Sequence, residues 1–196
     1  MDKQILRAKH LSIGGIVYGV VTALWLVWEF AFGTVQNQAI TGIASVAIVM
    51  LVFTAVFTLA QSPSTEAQAD SKDSMWFGII FAWEGIGIGV ASGILIALEM
   101  VQWLPVATAI IVGLHFFPLG RLLNIKADYV IGVVLILIAI IVPLTVADSV
   151  AWVSLICFAS AITLYVAGWV RVLMSRRLLS NVDIAQIDTV ATTSSG

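Results

Sequence analysis

Six apolar runs, most of them about 20 residues long, constrain the fold of this chain more than any other feature. The hydrocarbon core of a bilayer is about 30 Å thick, and a helix needs about 20 apolar residues to cross it. The chain is 61% hydrophobic and 10% charged, whereas soluble domains are about 45–50% apolar and about 25% charged. The sequence therefore predicts an all-α polytopic membrane protein, a bundle of six transmembrane helices. The predicted spans are 11–33, 39–60, 75–98, 105–119, 129–147 and 149–174.

The distribution of basic residues supports this number of spans. With six spans, all nine basic residues fall on the side of the N-terminus, and the turns on the opposite side contain none. Because positive charge is retained on the cytoplasmic side, we expect a multi-pass protein of the cell (cytoplasmic) membrane with both termini in the cytoplasm. Residues 1–177 then form one transmembrane domain, and residues 178–196 form a mobile C-terminal tail. The nine residues are Lys3, Arg7, Lys9, Lys72, Arg121, Lys126, Arg171, Arg176 and Arg177.

The third predicted span contains a carboxylate close to its middle. Glu84 lies about 14 Å along the helix from the predicted cytoplasmic face, at about 1.5 Å per residue. An acid at this depth is costly in hydrocarbon and is typically functional, so Glu84 is a candidate proton carrier or cation ligand. The alternative is a structural carboxyl that holds two helices in register.

Glycines at four-residue spacing favour close helix packing in two spans. They are Gly85, Gly89 and Gly93 in the third span and Gly15 and Gly19 in the first. The ladder in the third span predicts that neighbouring helices surround it, and it is also compatible with a homo-oligomer.

His115 is the only histidine within a predicted span. Its unperturbed pKa makes histidine a suitable proton relay, although a bond to a backbone carbonyl beside Pro118 is the alternative. The estimated depths of His115 and Glu84 differ by about 7 Å, which one water molecule could bridge. The sequence leaves open whether the two side chains face each other.

Two further candidate residues belong to a predicted outer vestibule. Glu29 lies within about 6 Å of the outer boundary, where a carboxylate is either solvated or helps to attract cations. Glu99 and Asp148 are the other acids on that side, and Trp83 could offer a cation–π face. A solvated acid and ordinary aromatic packing are the alternatives.

Arg121, Tyr18 and Tyr165 complete the candidates, all in the predicted inner half. Arg121 follows Pro118 and either anchors the helix at the headgroups or pairs with an anionic ligand. The two tyrosine hydroxyls need partners, which could be His115 or the backbone.

Several functions find no support in the chain. It has no extensive basic surface for nucleic acid, and it contains neither HExxH nor GxSxG nor a phosphate-binding glycine loop. The sequence predicts no metal ligand set and no cofactor, and it does not favour an enzyme. The single cysteine, Cys157, lies in an apolar run and cannot form an internal disulfide.

The segment GLHFFPLGRLL (113–123), followed by Tyr129 and Gly132, resembles a pattern in small multi-pass bacterial membrane proteins that are described only as uncharacterised. The resemblance extends over about Trp76 to Leu137. It implies a bacterial cytoplasmic membrane and carries no activity, substrate or cofactor with it.

Two classes of function remain. The first is a small-solute transporter or permease, proton-linked through Glu84 with His115 as relay, which predicts a water-accessible cavity that reaches Glu84. The second is a non-transporting scaffold or accessory subunit with both side chains in structural hydrogen bonds, which predicts a dry, closed bundle. The expected partners are the lipid bilayer and a small solute or proton.

Overall fold

The structure, a computed structural model, describes residues 2–32, 38–62 and 71–193, with side chains over 4–28, 44–62, 75–76 and 78–181. Within these residues the chain is helical and contains no β-strand. It comprises α1 (Asp2–Phe32), α2 (Gln38–Ala60), α3 (Ser71–Ala97), α4 (Leu104–Leu123), α5 (Lys126–Thr145) and α6 (Ser149–Thr193), with one 3₁₀ turn at Val101–Trp103.

Five stretches of these helices are long and apolar enough to cross a membrane. The described apolar part of α2, Ala44–Ala60, is shorter. The five stretches are Gln4–Trp28, Gly78–Ala97, Val101–Leu123, Lys126–Thr145 and Ser149–Asn181. The all-helical class follows directly from the apolar runs, since only a helix satisfies its backbone groups internally in hydrocarbon.

Several helices extend beyond the predicted spans. α1 is already helical at Asp2, within the basic N-terminal segment, and α6 continues to Thr193. Mobility of residues 178–196 stays a prediction, because a helical conformation does not by itself decide it. Pro118 and Pro143 lie inside α4 and α5 without ending them.

The packing of the helices does not place α3 among several neighbours, as its glycines predict. α1 packs most extensively against α6, and α2 packs beside both to form one group. α4 and α5 form a second group, which contacts the first mainly where α5 packs against α6. In the described part of the chain, α3 contacts only α4 and the 3₁₀ turn. α3 therefore lies at the edge of the fold and not at its centre, which corrects the prediction made from its glycines.

Left-handed residues end two of the helices. Asn124 follows α4 with φ 52°, and the N–H of Ile125 donates to the carbonyl of Gly120, as in a Schellman cap. Glu99 has φ 58° after α3, and the N–H of Met100 donates to the carbonyl of Leu95. The αL conformation reverses the chain tightly, so that α3 and α4 lie side by side.

Threonine hydroxyls within the apolar helices are bonded locally. Thr22 donates to the carbonyl of Tyr18, Thr58 to that of Thr54, and Thr163 to that of Ala159. Such bonds to the preceding turn satisfy a hydroxyl without a solvent partner. They leave the outer faces of the helices to apolar side chains, and many large ones are exposed there.

Candidate functional site

Glu84 and His115 meet where α3 packs against α4. The backbone of Gly87, one turn beyond Glu84, faces Ile111, and a β-carbon at this glycine would lie 3.4 Å from the Ile111 side chain. The absence of a side chain at Gly87 therefore lets the two helices approach closely. His115 is one turn beyond Ile111 on the same face of α4, which brings the imidazole to Glu84.

The two side chains make a close, largely buried contact. Nδ1 of His115 lies 3.0 Å from Oε2 of Glu84, with 5% of the histidine side chain and 15% of the glutamate side chain exposed. Nδ1 has no hydrogen-bond partner among the described residues, so the contact is near but not aligned along an N–H direction. The rings of Phe81 and Phe116 flank the imidazole edge-on, at centroid distances of 4.7 and 5.7 Å. The imidazole also hydrogen-bonds to the backbone of Ile80 in α3, so a small rotation of the Glu84 carboxyl would align the pair for proton exchange.

A cavity of about 640 Å³ adjoins this pair. It lies between α1 and the α3–α4 pair, and α6 contributes Leu164 and Arg171 to its wall. Glu84 and His115 both line it, as do the exposed side chains of Arg7 and Asn124. Since residues exposed at the protein surface form part of the lining, the cavity connects the surface with the Glu84–His115 pair.

A second buried charge cluster joins three helices. Arg171 of α6 donates from Nη2 to Oδ2 of Asp128 at 2.5 Å, and the hydroxyl of Tyr18 on α1 donates to Oδ1 of the same carboxylate at 3.3 Å. The guanidinium also lies over the Tyr18 ring, 4.7 Å from its centroid. Asp128 is completely buried, and Arg171 is 4% exposed. Asp128 stands in the first turn of α5, where a helix dipole favours a negative charge.

The same region holds a hydroxyl link between α1 and α6. Ser175 donates to the carbonyl of Ala8 at 2.8 Å, and its oxygen lies 2.9 Å from that of Ser12. Because a serine has one proton to donate, Ser12 is the donor to Ser175. Both serines are fully buried, so the bonds replace water that cannot reach them.

The glycines of α1 and α6 allow this close packing. A β-carbon at Gly14 would collide with the Arg171 guanidinium, and one at Gly15 would lie 2.7 Å from Val172. A β-carbon at Gly19 would lie 2.5 Å from Val52 of α2, and one at Gly168 would lie 2.8 Å from Leu51. Gly15 and Gly19, where the sequence predicts close packing, therefore lie against side chains of α6 and α2, respectively.

The glycine ladder of α3 has a different environment. A β-carbon at Gly85, Gly89 or Gly93 would meet nothing within 4 Å in the described chain. This corrects the expectation that other helices of the same chain fill the ladder, because α3 lies at the edge. Packing between two copies stays a prediction.

Of the other candidates, Tyr18 lines the cavity, whereas Trp83, Tyr165 and Arg121 lie outside its lining. Trp83 points outward with 71% of its surface exposed, so it offers no cation–π face inside the fold. Tyr165 packs edge-on against Trp169 in a separate apolar cluster with Leu51, and the Tyr18 hydroxyl bonds to Asp128, so neither tyrosine joins His115. Arg121 is exposed in the last turn of α4 and is outside the cavity lining.

The predicted outer vestibule has little support in the described side chains. The Glu29 side chain lies outside the described residues. Asp148 is exposed and accepts from the N–H of Val150 at 3.1 Å at the start of α6, which is the role of an N-cap. Glu99 is exposed at the end of α3. Asp148 thus has a structural function in capping a helix.

The Asp128–Arg171–Tyr18 cluster is not predicted from the sequence, because Asp128 is assigned there to the loop before the fifth span and Arg171 to the end of the sixth. A signal was present: Arg171 lies within the apolar run that continues through Met174, and Asp128 precedes the fifth span directly. Opposite charges at the same predicted depth of adjacent spans are candidates for a buried pair. Among the described residues, no group of three or more potential ligands gathers to hold a metal ion.

The described chain is all-helical, contains two buried charge clusters, and has five helices of the length and apolar composition typical of membrane proteins. Residues 78–172, just under half of the chain, match DUF7010, a family of unknown function. The matched region begins in α3, ends in α6 and includes Glu84, His115, Asp128 and Arg171. No curated protein and no solved structure matches the chain.

Proposed function

We propose that this chain is a six-span protein of the cytoplasmic membrane, with both termini inside, and that it transports a small solute together with a proton. Glu84 carries the proton and His115 relays it. The observation that carries the proposal is the cavity of about 640 Å³, which extends from the surface to both side chains. Ligand pockets have volumes of about 300–1,000 Å³.

The surroundings of Glu84 suit a group that changes its protonation. Its nearest titratable neighbour is His115, and the same cavity is lined by Arg7, His10 and Arg171. A cavity of this size has room for on the order of 20 water molecules at about 30 Å³ each. Water in the cavity would connect Glu84 with one side of the membrane, and His115 would accept or return the proton.

The alternative is a scaffold or accessory subunit in which the pair only joins α3 to α4. The 3.0 Å contact favours this alternative, since a buried acid beside a histidine can be purely structural. A scaffold predicts a dry bundle, and the cavity argues against it. Neither function requires a cofactor or catalysis of a reaction.

Infrared titration of the purified protein in lipid tests the proton-carrier role. We expect a protonated-carboxyl band that is absent in Glu84→Gln and that changes with the pH of the medium. Glu99→Gln is the matched control, because this exposed acid stands at the end of the same helix. A Glu84 band that never changes across the accessible pH range would remove proton coupling and leave the scaffold.

Orientation can be measured by thiol labelling from each side of the membrane in a Cys157→Ser background. Gln102 lies in the 3₁₀ turn before α4, and Lys126 is the first residue of α5. Both are exposed, and because α4 lies between them they form a matched pair for single cysteine substitutions. We expect an impermeant reagent added outside intact cells to label Gln102→Cys and not Lys126→Cys. The reverse pattern would place the termini outside and contradict the charge-based topology.

A further inference from the structure

We propose that the cavity binds a small organic monoanion, with its carboxylate head toward Arg7 and Arg171 and its apolar body between α1 and α4. The proposal names the substrate class of the transport suggested above and rests on that function. It depends on three features of the cavity: the charges in its lining, the incomplete bonding of Arg171, and the apolar walls.

The charges that line the cavity are mainly basic. Arg7 and Arg171 both contribute to the wall, and among the residues with described side chains Glu84 is the only carboxylate in the lining. Glu84 already has His115 at 3.0 Å. Asp128, which binds Arg171, is completely buried and is not part of the lining. A bound anion would therefore face two arginines, whereas a bound cation would have to compete with His115 for one acid.

Arg171 has donor capacity that the protein does not use. A guanidinium has five N–H groups, and Nη2 is bonded to Asp128, but Nε has no hydrogen-bond partner among the described residues. The guanidinium packs against Gly14, which also lines the cavity, in the space that a β-carbon would occupy. A buried donor without an acceptor is destabilising, and a carboxylate in the cavity could supply one after a small shift of the arginine.

The remaining walls suit a hydrocarbon body. Val17 and Val21 of α1 face Val112, Phe116 and Leu119 of α4 across the cavity, with Phe81 of α3 near Glu84. Pockets that bind small molecules are mostly apolar with a few placed polar groups. An acid with a short alkyl chain matches both parts, since its head meets the arginines and its chain meets the apolar walls.

This substrate class also gives the proposed proton a role. One proton on Glu84 and one monoanion together carry no net charge, so their joint movement does no work against the membrane potential. Transport of this kind would follow the pH gradient and be insensitive to an imposed potential.

The test is a binding measurement with the full-length protein in nanodiscs of zwitterionic lipid. Hexanoate, hexan-1-ol and hexylammonium are titrated in parallel by calorimetry, because they share a chain and differ in charge. We expect hexanoate to bind most tightly. Arg7→Gln should weaken hexanoate binding about tenfold, equivalent to about 1.4 kcal/mol, and Arg121→Gln, an exposed arginine outside the lining, should leave it unchanged.

The outcomes separate this inference from the proposed function. Equal or tighter binding of hexylammonium or hexan-1-ol, or an unchanged affinity in Arg7→Gln, would overturn the anion site, even if another solute showed Glu84-dependent transport. Hexanoate binding that depends on Arg7 but is accompanied by no transport in proteoliposomes would support the site and overturn the transporter. Competition between phosphatidylglycerol in the nanodisc and hexanoate would support the same site and identify a lipid headgroup as the source of the anion.

Discussion

The α1–α6 side of the molecule and its α3–α4 side contain buried charge in different settings. On the α1–α6 side, Asp128 receives two donors and is completely buried, and glycines bring the helices into close contact. On the α3–α4 side, Glu84 is partly exposed, its contact with His115 is not aligned, and a cavity adjoins it. The two donors and the complete burial of Asp128 indicate a structural carboxylate. Glu84, which is less completely bonded and lines a cavity, is the carboxylate that is free to act.

The largest effect on stability is expected from separating Asp128 and Arg171. Arg171→Met would leave the carboxylate buried without its cationic partner, and losing one partner of a buried pair costs about 3–5 kcal/mol. The free energy of unfolding in lipid or mild detergent measures the effect, with exposed Arg121→Gln as control. Adding Asp128→Leu to Arg171→Met should recover much of the loss, because an apolar pair can replace a buried ionic one. Wild-type stability in Arg171→Met alone would show that the cluster does not hold the helices together.

An intermediate effect is expected from the glycines, which differ between the two sides. The β-carbon of Gly15→Ala would lie 2.7 Å from Val172, while that of Gly89→Ala would meet nothing within 4 Å. Overpacking costs about 1–3 kcal/mol, so Gly15→Ala should destabilise the protein and Gly89→Ala should not. Unfolding is measured at a low protein-to-lipid ratio, so that association between copies does not contribute. Equal destabilisation by both substitutions would mean that the α3 ladder is packed within the chain.

The sequence predicts the helices well, because a bilayer-length apolar run has few alternatives to a helix. It also places Glu84 and His115 at similar depths, and the structure brings them to 3.0 Å. The sequence predicts less well which helices are neighbours. When lipid and protein interior are both apolar, the pattern of apolar residues does not show which face of a helix packs against another helix. For that reason the glycines of α3 suggest a central helix that proves peripheral, and Arg171 is assigned to a helix end although it is buried.

The smallest effect on stability, together with a large effect on transport, is expected at Glu84. Glu84→Gln keeps the shape of the side chain, and the lost contact with His115 is not an aligned hydrogen bond, so the free energy of unfolding should change by less than about 1 kcal/mol. Solute-driven proton movement into proteoliposomes that contain a pH-sensitive dye should nevertheless be abolished, because an amide cannot carry the proton. His115→Gln should slow proton movement without abolishing it, as expected for a relay. The contrary result is that Glu84→Gln lowers stability as much as Arg171→Met while the remaining folded protein still moves protons. The Glu84–His115 pair would then be structural, like the Asp128–Arg171 pair.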